Sequence, residues 1–351
     1  MKSRGLFGLR FDRTFSMMAA QRILIAGAGA IGSVVGAHLH QAGHRVTMLG
    51  RPAHLAAIAR DGLHVTGLLG ESRVRGLTLA ADPAELGGRY DLILCTVKPY
   101  DTASIADAIS DRLDRDGIIV SMQNGLGNIE ALAERFSISR VLGARVIFGA
   151  EIPHPGAAHV TVFADPVAIG PDPKQHRELA AALETRAHEI AATLGAAGVP
   201  ALGYADIMPI IWTKLVYNAA LNPLGALFET SYGALAADTD LRAIMDDLIE
   251  EAFEVAARAE VRMPFSDARA YREVFYGRLI PATASHRPTM LSDLDRRART
   301  DIDALNGKIV ELGARHGIDA PINATMVRMI HGAERRRAAA MAAENSRTEE
   351  T

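Results

Sequence analysis

The stretch QRILIAGAGAIGSVVGAHLHQAGHRVTMLGR, residues 21–51, decides the fold. "RILIAG" is a short apolar run closing on glycine, the pattern of a strand buried on both faces of a parallel sheet. Gly27-Ala28-Gly29-Ala30-Ile31-Gly32 follows at once, a full G-x-G-x-x-G. "SVVGAHLHQAG" then reads as a helix, with Val34, Val35 and Leu39 on one face and Gly43 as its stop. "HRVTML" reads as a second strand. Strand, glycine turn, helix and strand within about 30 residues is the context that a dinucleotide fingerprint requires.

Each glycine has a physical task. Gly27 permits the tight turn, Gly29 lets the backbone approach a pyrophosphate, and Gly32 lets the helix pack close to the sheet. The helix start then offers free N–H groups and the positive end of its dipole to the phosphates. Gly27, Ala28, Gly29, Ala30, Ile31 and Gly32 are therefore assigned to the cofactor. An NAD site places an acid at the end of the second strand, to bond the ribose 2′-hydroxyl. Here that place reads Leu49-Gly50-Arg51-Pro52, and the next acid is Asp61. A guanidinium pairs with a 2′-phosphate that a carboxylate would repel. Arg51 thus points to NADP(H) over NAD(H); the bland alternative is a solvated loop arginine.

Working outward, strand-like runs recur at βα intervals: "DLILCTV" (91–97), "GIIVSMQ" (117–123) and "RVLGARVIF" (140–148), with helical stretches such as "TASIADAISDRL" between them. "HVTVF" and "PVAIG", separated by turn residues, read as two later strands. Two loops stand at the carboxyl ends of strands, where open α/β sheets bind ligands. In "TVKPYDT", Lys98 can reach a phosphate or the cofactor ribose, or be a solvated loop lysine. In "MQNGLGNIEAL", Asn124 can aim its amide at cofactor and substrate together, or simply be a turn residue tolerant of positive φ.

From about residue 205 to 337 the period is helical throughout. The fold class expected is α/β: an N-terminal Rossmann-type doubly wound parallel sheet, residues 21–204, with an all-α C-terminal domain, residues 205–337. In "IIWTKLVYNAALNPLGALFETSYG", Lys214, Asn218 and Asn222 fall at i, i+4 and i+8, on one face of a helix that is otherwise apolar all round. Such a line needs partners or a polar cavity. Lys214 is the candidate catalytic residue, because a ketone reduced by hydride becomes an alkoxide, which an ammonium stabilises and protonates. Further on, Thr300 suits an N-cap, and Asp301 and Asp303 fall in the first turn of a helix carrying Ile302, Leu305, Ile309 and Leu312 on its core face. "APINATMVRMI" reads as the last packed helix, and residues 338–351 as a frayed end and disordered tail.

Composition excludes other classes. The chain has 351 residues, 49% hydrophobic and 23% charged, enough for two domains with real cores. A net charge of −3 offers no field for nucleic acid, and 5% aromatics offer no stacking platform. Cys95 is the single cysteine, so no disulfide framework exists and a reducing, cytoplasmic setting fits. No membrane span is expected: the longest apolar candidate is interrupted by Lys214, Asn218 and Asn222. No metal ligand is assigned. Residues 1–20 lack the apolar core of a signal peptide; they read as a disordered extension, a segment upstream of a natural start at Met17 or Met18, or an organelle transit peptide. Apolar helices in the second domain are able to form a homodimer, but nothing marks an interface.

The motifs "GAGAIG", "TVKPYDT", "QNGLGN", "KLVYNAALNPL" and "DIDALNGKIVELGARHGIDAPIN", in this order from about residue 21 to 332, resemble the ketopantoate reductase (2-dehydropantoate 2-reductase) family. The resemblance implies a Rossmann-type domain, a helical domain and an active site in the cleft between them. It implies NADPH-dependent reduction of 2-dehydropantoate to (R)-pantoate, feeding pantothenate and coenzyme A synthesis. It makes Lys214 the general acid, Asn218 and Asn222 substrate ligands, and Asn124 a bridge between substrate and cofactor. It gives Lys98, Arg51 and Ala150 to the NADP site. The chain departs from the family pattern in three places. A serine of the "SSM" motif becomes Thr289; the glutamate of "TEID" becomes Asp301, expected to face both substrate and cofactor; and an asparagine ten residues after the second helix asparagine becomes Tyr232. Thr289, Asp301 and Tyr232 bear on the substrate more than on the reaction. A reductase of another 2-oxo acid is the competing enzyme reading, and a non-catalytic NADP sensor the reading from a different class.

Overall fold

The computed structural model describes residues 19–174 and 177–349. The expectation for the N-terminal extension falls outside it up to residue 18. The strands are β1 (Arg22–Ala26), β2 (Arg45–Leu49), β3 (Leu63–Gly67), β4 (Ser72–Val74), β5 (Thr78–Ala80), β6 (Tyr90–Cys95), β7 (Leu113–Ser121), β8 (Val141–Glu151), β9 (Ala157–Gly170) and β10 (Ala201–Gly203). They form one sheet in the order β4-β3-β9-β8-β7-β6-β1-β2-β5, with β10 beside β9. Its centre, β5-β2-β1-β6-β7-β8, is parallel and reads 3-2-1-4-5-6 in its own chain order, the doubly wound arrangement. The helices on this domain are α1 (Ala30–Gln41), α2 (Pro52–Asp61), α3 (Thr102–Ala108), α4 (Asn128–Phe136) and α5 (Ala180–Ala196).

The order reverses between β1 and β6. Ligands bind outside the carboxyl ends of strands at such a switch point, so the loops after Ala26 and Cys95 face the site. The core explains why these strands form: Ile23, Leu24, Ile25, Ile93, Leu94 and Cys95 are all fully buried, as a strand covered on both faces must be.

The outer strands add antiparallel pairings to the doubly wound parallel centre. β8 pairs β9 and β3 pairs β4 antiparallel. "HVTVF" and "PVAIG" are not two strands but parts of β9, a single strand of 14 residues. The turn-like Asp165-Pro166 between them is absorbed where the β8–β9 register slips, between Arg145 and Ile147.

The second domain is helical: α6 (Met208–Leu227), α7 (Tyr232–Ala237), α8 (Thr239–Arg258), α9 (Ala268–Val274) running through a π turn (Phe275–Leu279) into α10 (Ile280–Ala282), α11 (Thr289–Asp295), α12 (Asn306–Arg315) and α13 (Pro321–Glu349). α6 is its axis, with Trp212, Leu215, Val216, Ala219, Ala220, Leu221 and Leu224 packed into one core with α8, α11 and α13. α13 continues to Glu349, past residue 338 where the tail was expected to begin; residues 350–351 lie outside the described residues. No described helix is long and apolar enough to cross a membrane.

One expected helix is broken. Residues 301–315 do not form a single helix: a 3-10 turn (Ile302–Ala304) precedes Leu305, and α12 begins only at Asn306. The break lies at a contact across the domain boundary. Ala304 O accepts a hydrogen bond from Leu126 N at 3.0 Å, and a Cβ on Gly125 would lie 2.3 Å from that same oxygen. At this contact the backbone of Leu305 leaves helical geometry, with φ −100 and ψ −103. Asp301, freed from a first-turn position, is turned inward and is 3% exposed.

Candidate active site

The glycine turn has the shape its sequence requires. Gly27 has φ +117, and a Cβ there would lie 2.6 Å from Val97 N, against the loop that leaves β6. Its carbonyl accepts the Thr96 hydroxyl at 2.6 Å. A Cβ on Gly32 would strike Gly27 O at 2.2 Å. Gly29, by contrast, would place a Cβ in open space, with nothing within 4 Å. It is the N-cap of α1, and no side chain caps that helix start. The turn therefore presents bare backbone and unsatisfied N–H groups to open space, which fits a pyrophosphate. Ala28, Ala30 and Ile31 complete the turn.

The end of β2 packs on this turn: Gly27 N and Ala28 N both donate to Leu49 O, at 3.0 and 2.7 Å. Arg51 is the N-cap of α2, exposed, one residue beyond Gly50. No acid takes its place. Asp61 ends α2 and pairs with Arg60, while Asp82 and Glu85 after β5 are engaged in a capping box.

Asn124 follows β7. The positive φ of its turn belongs to Gly125 (+83), and Asn124 itself is not among the residues with positive φ, so the turn explanation for Asn124 fails. Asn128 Nδ2 donates to Asn124 O at 3.0 Å and fixes its backbone. The side chain reaches into the cleft, where its Oδ1 accepts from Lys214 Nζ at 2.6 Å. Lys214 Nζ also donates to Val146 O, on β8. Two of its three N–H bonds thus have acceptors, and the third has none among the described residues. Burial pulls the Lys214 ammonium down to about 8; Arg145, next to Val146, adds to this, and Asp301 opposes it.

Asn218 and Asn222 continue the α6 face. They are 7% and 4% exposed. The Asn218 side chain makes no hydrogen bond among the described residues, and that of Asn222 makes one, with its Oδ1 accepting from Tyr232 Oη at 2.8 Å. Neither amide nitrogen is sealed from solvent. Tyr232, the departure from the family pattern, is thereby brought into the site. α6 carries a proline next to the Asn222 amide. Pro223 has no N–H to give Ala219 O, and Asn306 Nδ2 supplies the missing donor at 3.0 Å.

Asp301 lies between Lys98 and Lys214 with its Oδ1 buried and unpartnered. Burial, joined by the repulsion of Asp293, pushes its carboxyl up against the pull of both lysines. A cleft of about 200 Å³ opens beside it, lined by Tyr100, Asn128, Arg299 and Lys308 among others. Lys98 reaches across the domains to Asp293, 2.5 Å away and 3% exposed on its side chain. Burial lowers the Lys98 ammonium, but Asp301 and Asp293 outweigh it and hold it above its usual value. Thr289 opens α11, exposed, after Pro288, which packs on Gly225 of α6. Ala150 is half-buried on β8, paired with Val160 of β9. Sequence reasoning missed Arg145, Asp293 and Asn306. For Arg145 a signal existed: a lone charge in the apolar run "VLGARVIF".

A glycine turn at a topological switch point, facing a helical domain that presents a lysine of lowered pKa, defines a dinucleotide-dependent oxidoreductase of two domains. Residues 23–174 match the family described as Ketopantoate reductase PanE/ApbA, and residues 206–334 match Ketopantoate reductase PanE/ApbA C terminal. The chain is 36% identical to the 2-dehydropantoate 2-reductase of Aquifex aeolicus, over 89% of this chain and 97% of that protein. It is 33% identical to that of Archaeoglobus fulgidus, over 90% and 99%. A PanE/ApbA family ketopantoate reductase structure from Ralstonia eutropha superposes with a TM-score of 0.79 at 30% identity, over 90% of this chain and 99% of that one. A D-mandelate dehydrogenase bound to NADH and anilino(oxo)acetate shares the fold, with a TM-score of 0.79 at 22% identity. The chain belongs to the ketopantoate reductase family.

Proposed function

We propose that this protein reduces 2-dehydropantoate to (R)-pantoate with NADPH, supplying pantothenate and coenzyme A synthesis in the cytoplasm. The observation that carries the reading is the convergence of Lys214 and Asn124 from two domains, in line with two buried amides whose nitrogens have no partner among the described residues. When bound, the nicotinamide supplies a hydride to the keto carbon. Lys214 holds its third N–H ready for the keto oxygen and gives that oxygen a proton as it gains charge. Asn124 aims the ammonium. Asn218 and Asn222 offer N–H donors to the acid, and Asp301 places its carboxyl near both lysines. Arg51 meets the 2′-phosphate, and Lys98 is shared between Asp293 and the cofactor side of the cleft. Names of relatives as similar as 36% identity support the substrate.

The direct test is NADPH consumption with 2-dehydropantoate under steady-state conditions. Turnover is expected, and its absence at about millimolar substrate would sink the reading, since typical KM values lie at or below that level. Tyr232 favours a second reading, reduction of another 2-oxo acid. A higher kcat/KM for a branched or aromatic 2-oxo acid than for 2-dehydropantoate would select it. A non-catalytic sensor fits poorly, because it has no use for a lysine tuned and aimed in this way.

A further inference from the structure

Tyr232 is held rigidly. Its backbone N–H donates to His286 O at 3.0 Å, and Gly233 N donates to Ala284 O at 2.9 Å. A Cβ on Gly233 would lie 2.9 Å from Ala284 Cβ, so α7 and the segment before α11 are in close contact. The Tyr232 ring stands edge-on to Tyr217, with centroids 5.9 Å apart, and tilted against His286 at 5.1 Å. Tyr217 is itself tied by its hydroxyl to Thr283 Oγ1 at 2.7 Å. The phenol cannot swing away, and its one polar contact among the described residues is Asn222 Oδ1.

A phenol carries one proton. Burial of Tyr232 pushes its ionisation well above the usual value, so that proton is always present. It goes to Asn222 Oδ1. Asn222 Oδ1 is the one acceptor among the described residues for that buried O–H, so an amide turned the other way would leave the phenol proton unpartnered; this sets the amide oxygen toward Tyr232 and its N–H bonds away from it. Left to itself an amide rotates and offers either end, since its oxygen and nitrogen sides are nearly the same shape.

Resting on the reading of this α6 face as the substrate site, we propose that Tyr232 is a positioning residue that makes Asn222 a donor only, so that the site takes an acceptor-only group, the carboxylate of a 2-oxo acid, and discriminates against the corresponding 2-oxo amide. A primary amide brings N–H bonds of its own, and one of them would meet the fixed donors of Asn222 with no acceptor available.

The test is a double-mutant cycle of Tyr232→Phe and Asn222→Ala, measured at saturating NADPH with the 2-oxo acid turned over best and with its primary amide. Tyr232→Phe keeps the ring and removes the proton. Alone, it is expected to raise the KM for the acid about tenfold, the size of one hydrogen bond, with kcat within about twofold. The preference for acid over amide should fall with it. In the Asn222→Ala background, the same change should move KM by less than about twofold. An equal loss in both backgrounds, or an unchanged preference for the acid, would show that Tyr232 acts through packing and overturn the inference alone. If Asn222→Ala leaves the KM of every 2-oxo acid unchanged, the reading of the α6 face fails instead, and this inference with it. Thermal melting and NADPH fluorescence check that each variant is folded. Should Tyr232→Phe not fold, Asn222→Asp decides, because it turns the fixed donor into an acceptor. It should cost the acid at least about tenfold more in kcat/KM than the amide, and equal losses would overturn the proposal.

Discussion

Lys214 Nζ on α6 lies 2.6 Å from Asn124 Oδ1, at the carboxyl end of β7. The contact joins the helical domain to the sheet at the point where the chemistry is proposed. An alanine at Lys214 removes proton donor and electrostatic stabiliser together. General acid catalysis is worth about 10²–10⁴-fold and one electrostatic donor about 10²–10³-fold. The two overlap in one residue, so Lys214→Ala should lower kcat by about 10³-fold rather than by the product. NADPH binding, followed by fluorescence, should barely change. A folded variant within about tenfold of the parent kcat removes Lys214 from the acid role.

The lowered pKa of Lys214, about 8, gives this role a pH signature. Reduction needs the ammonium. As pH rises through about 8 the ammonium is lost, so kcat/KM for reduction should be flat below the break and fall about tenfold per unit above it. Oxidation of the alcohol needs the free amine, so its kcat/KM should rise through the same pH. Initial rates in both directions from about pH 6 to about pH 10 decide the point. A break in the same sense for both directions would assign the titration to another group.

Gly29 and Gly32 should respond differently to one added methyl group. At Gly29 the Cβ meets nothing within 4 Å and φ is −82, so Gly29→Ala should melt like the parent. Its methyl fills the space where a pyrophosphate is expected, and NADPH affinity should fall at least about tenfold. At Gly32 the Cβ lies 2.2 Å from Gly27 O and 2.7 Å from Thr96 Oγ1, with no flexible neighbour to yield on the backbone side. Gly32→Ala should lower the melting temperature as well as NADPH affinity. If both variants melt alike, the steric account of the turn is wrong.

Arg51→Asp tests cofactor choice without harm to the fold. Arg51 occupies the N-cap of α2 with extended backbone, a position where aspartate is among the best caps. If the guanidinium meets the 2′-phosphate, the KM for NADPH should rise at least about tenfold, and NADH should be affected much less. Equal changes for both cofactors would reduce Arg51 to a loop residue.

The sheet's centre was legible because its signals are local. A doubly covered strand must be apolar throughout, as Ile23–Ala26 is, and a turn that packs Gly27 against Val97 and Gly32 against Gly27 admits no other residue. The α6 face was legible because polar residues stand out on an apolar helix. What failed depended on distant partners. β3 and β4 are short and carry polar residues; β4 is the edge strand and pairs with β3, which pairs in turn with β9 from far along the chain. The break at Leu305 coincides with a contact made by Leu126, far away in the chain, to the Ala304 carbonyl. Asp293 enters the site through Lys98, separated from it by 195 positions, and nothing in either local sequence announces the pairing.

Asn306 shows how such a hidden partner can be tested. Pro223 denies Ala219 O its helical donor, and Asn306, fully buried, provides one at 3.0 Å while its other N–H goes to Asn323 Oδ1 at 3.0 Å. Asn306→Ala leaves both oxygens buried without a donor. Each such group costs about 1–3 kcal/mol, so the variant should be clearly destabilised. Because Asn222 adjoins Pro223, the KM for the 2-oxo acid should rise as well. A stability loss by itself could reflect the cavity left by the side chain. The double variant separates the two causes. Pro223→Ala restores a backbone N–H within reach of Ala219 O, so in that background Asn306→Ala should cost about 1 kcal/mol less than in the parent. Denaturant melts of the four proteins in the cycle measure the difference. Equal costs in the two backgrounds would mean that Asn306 fills space and supplies Ala219 O with nothing.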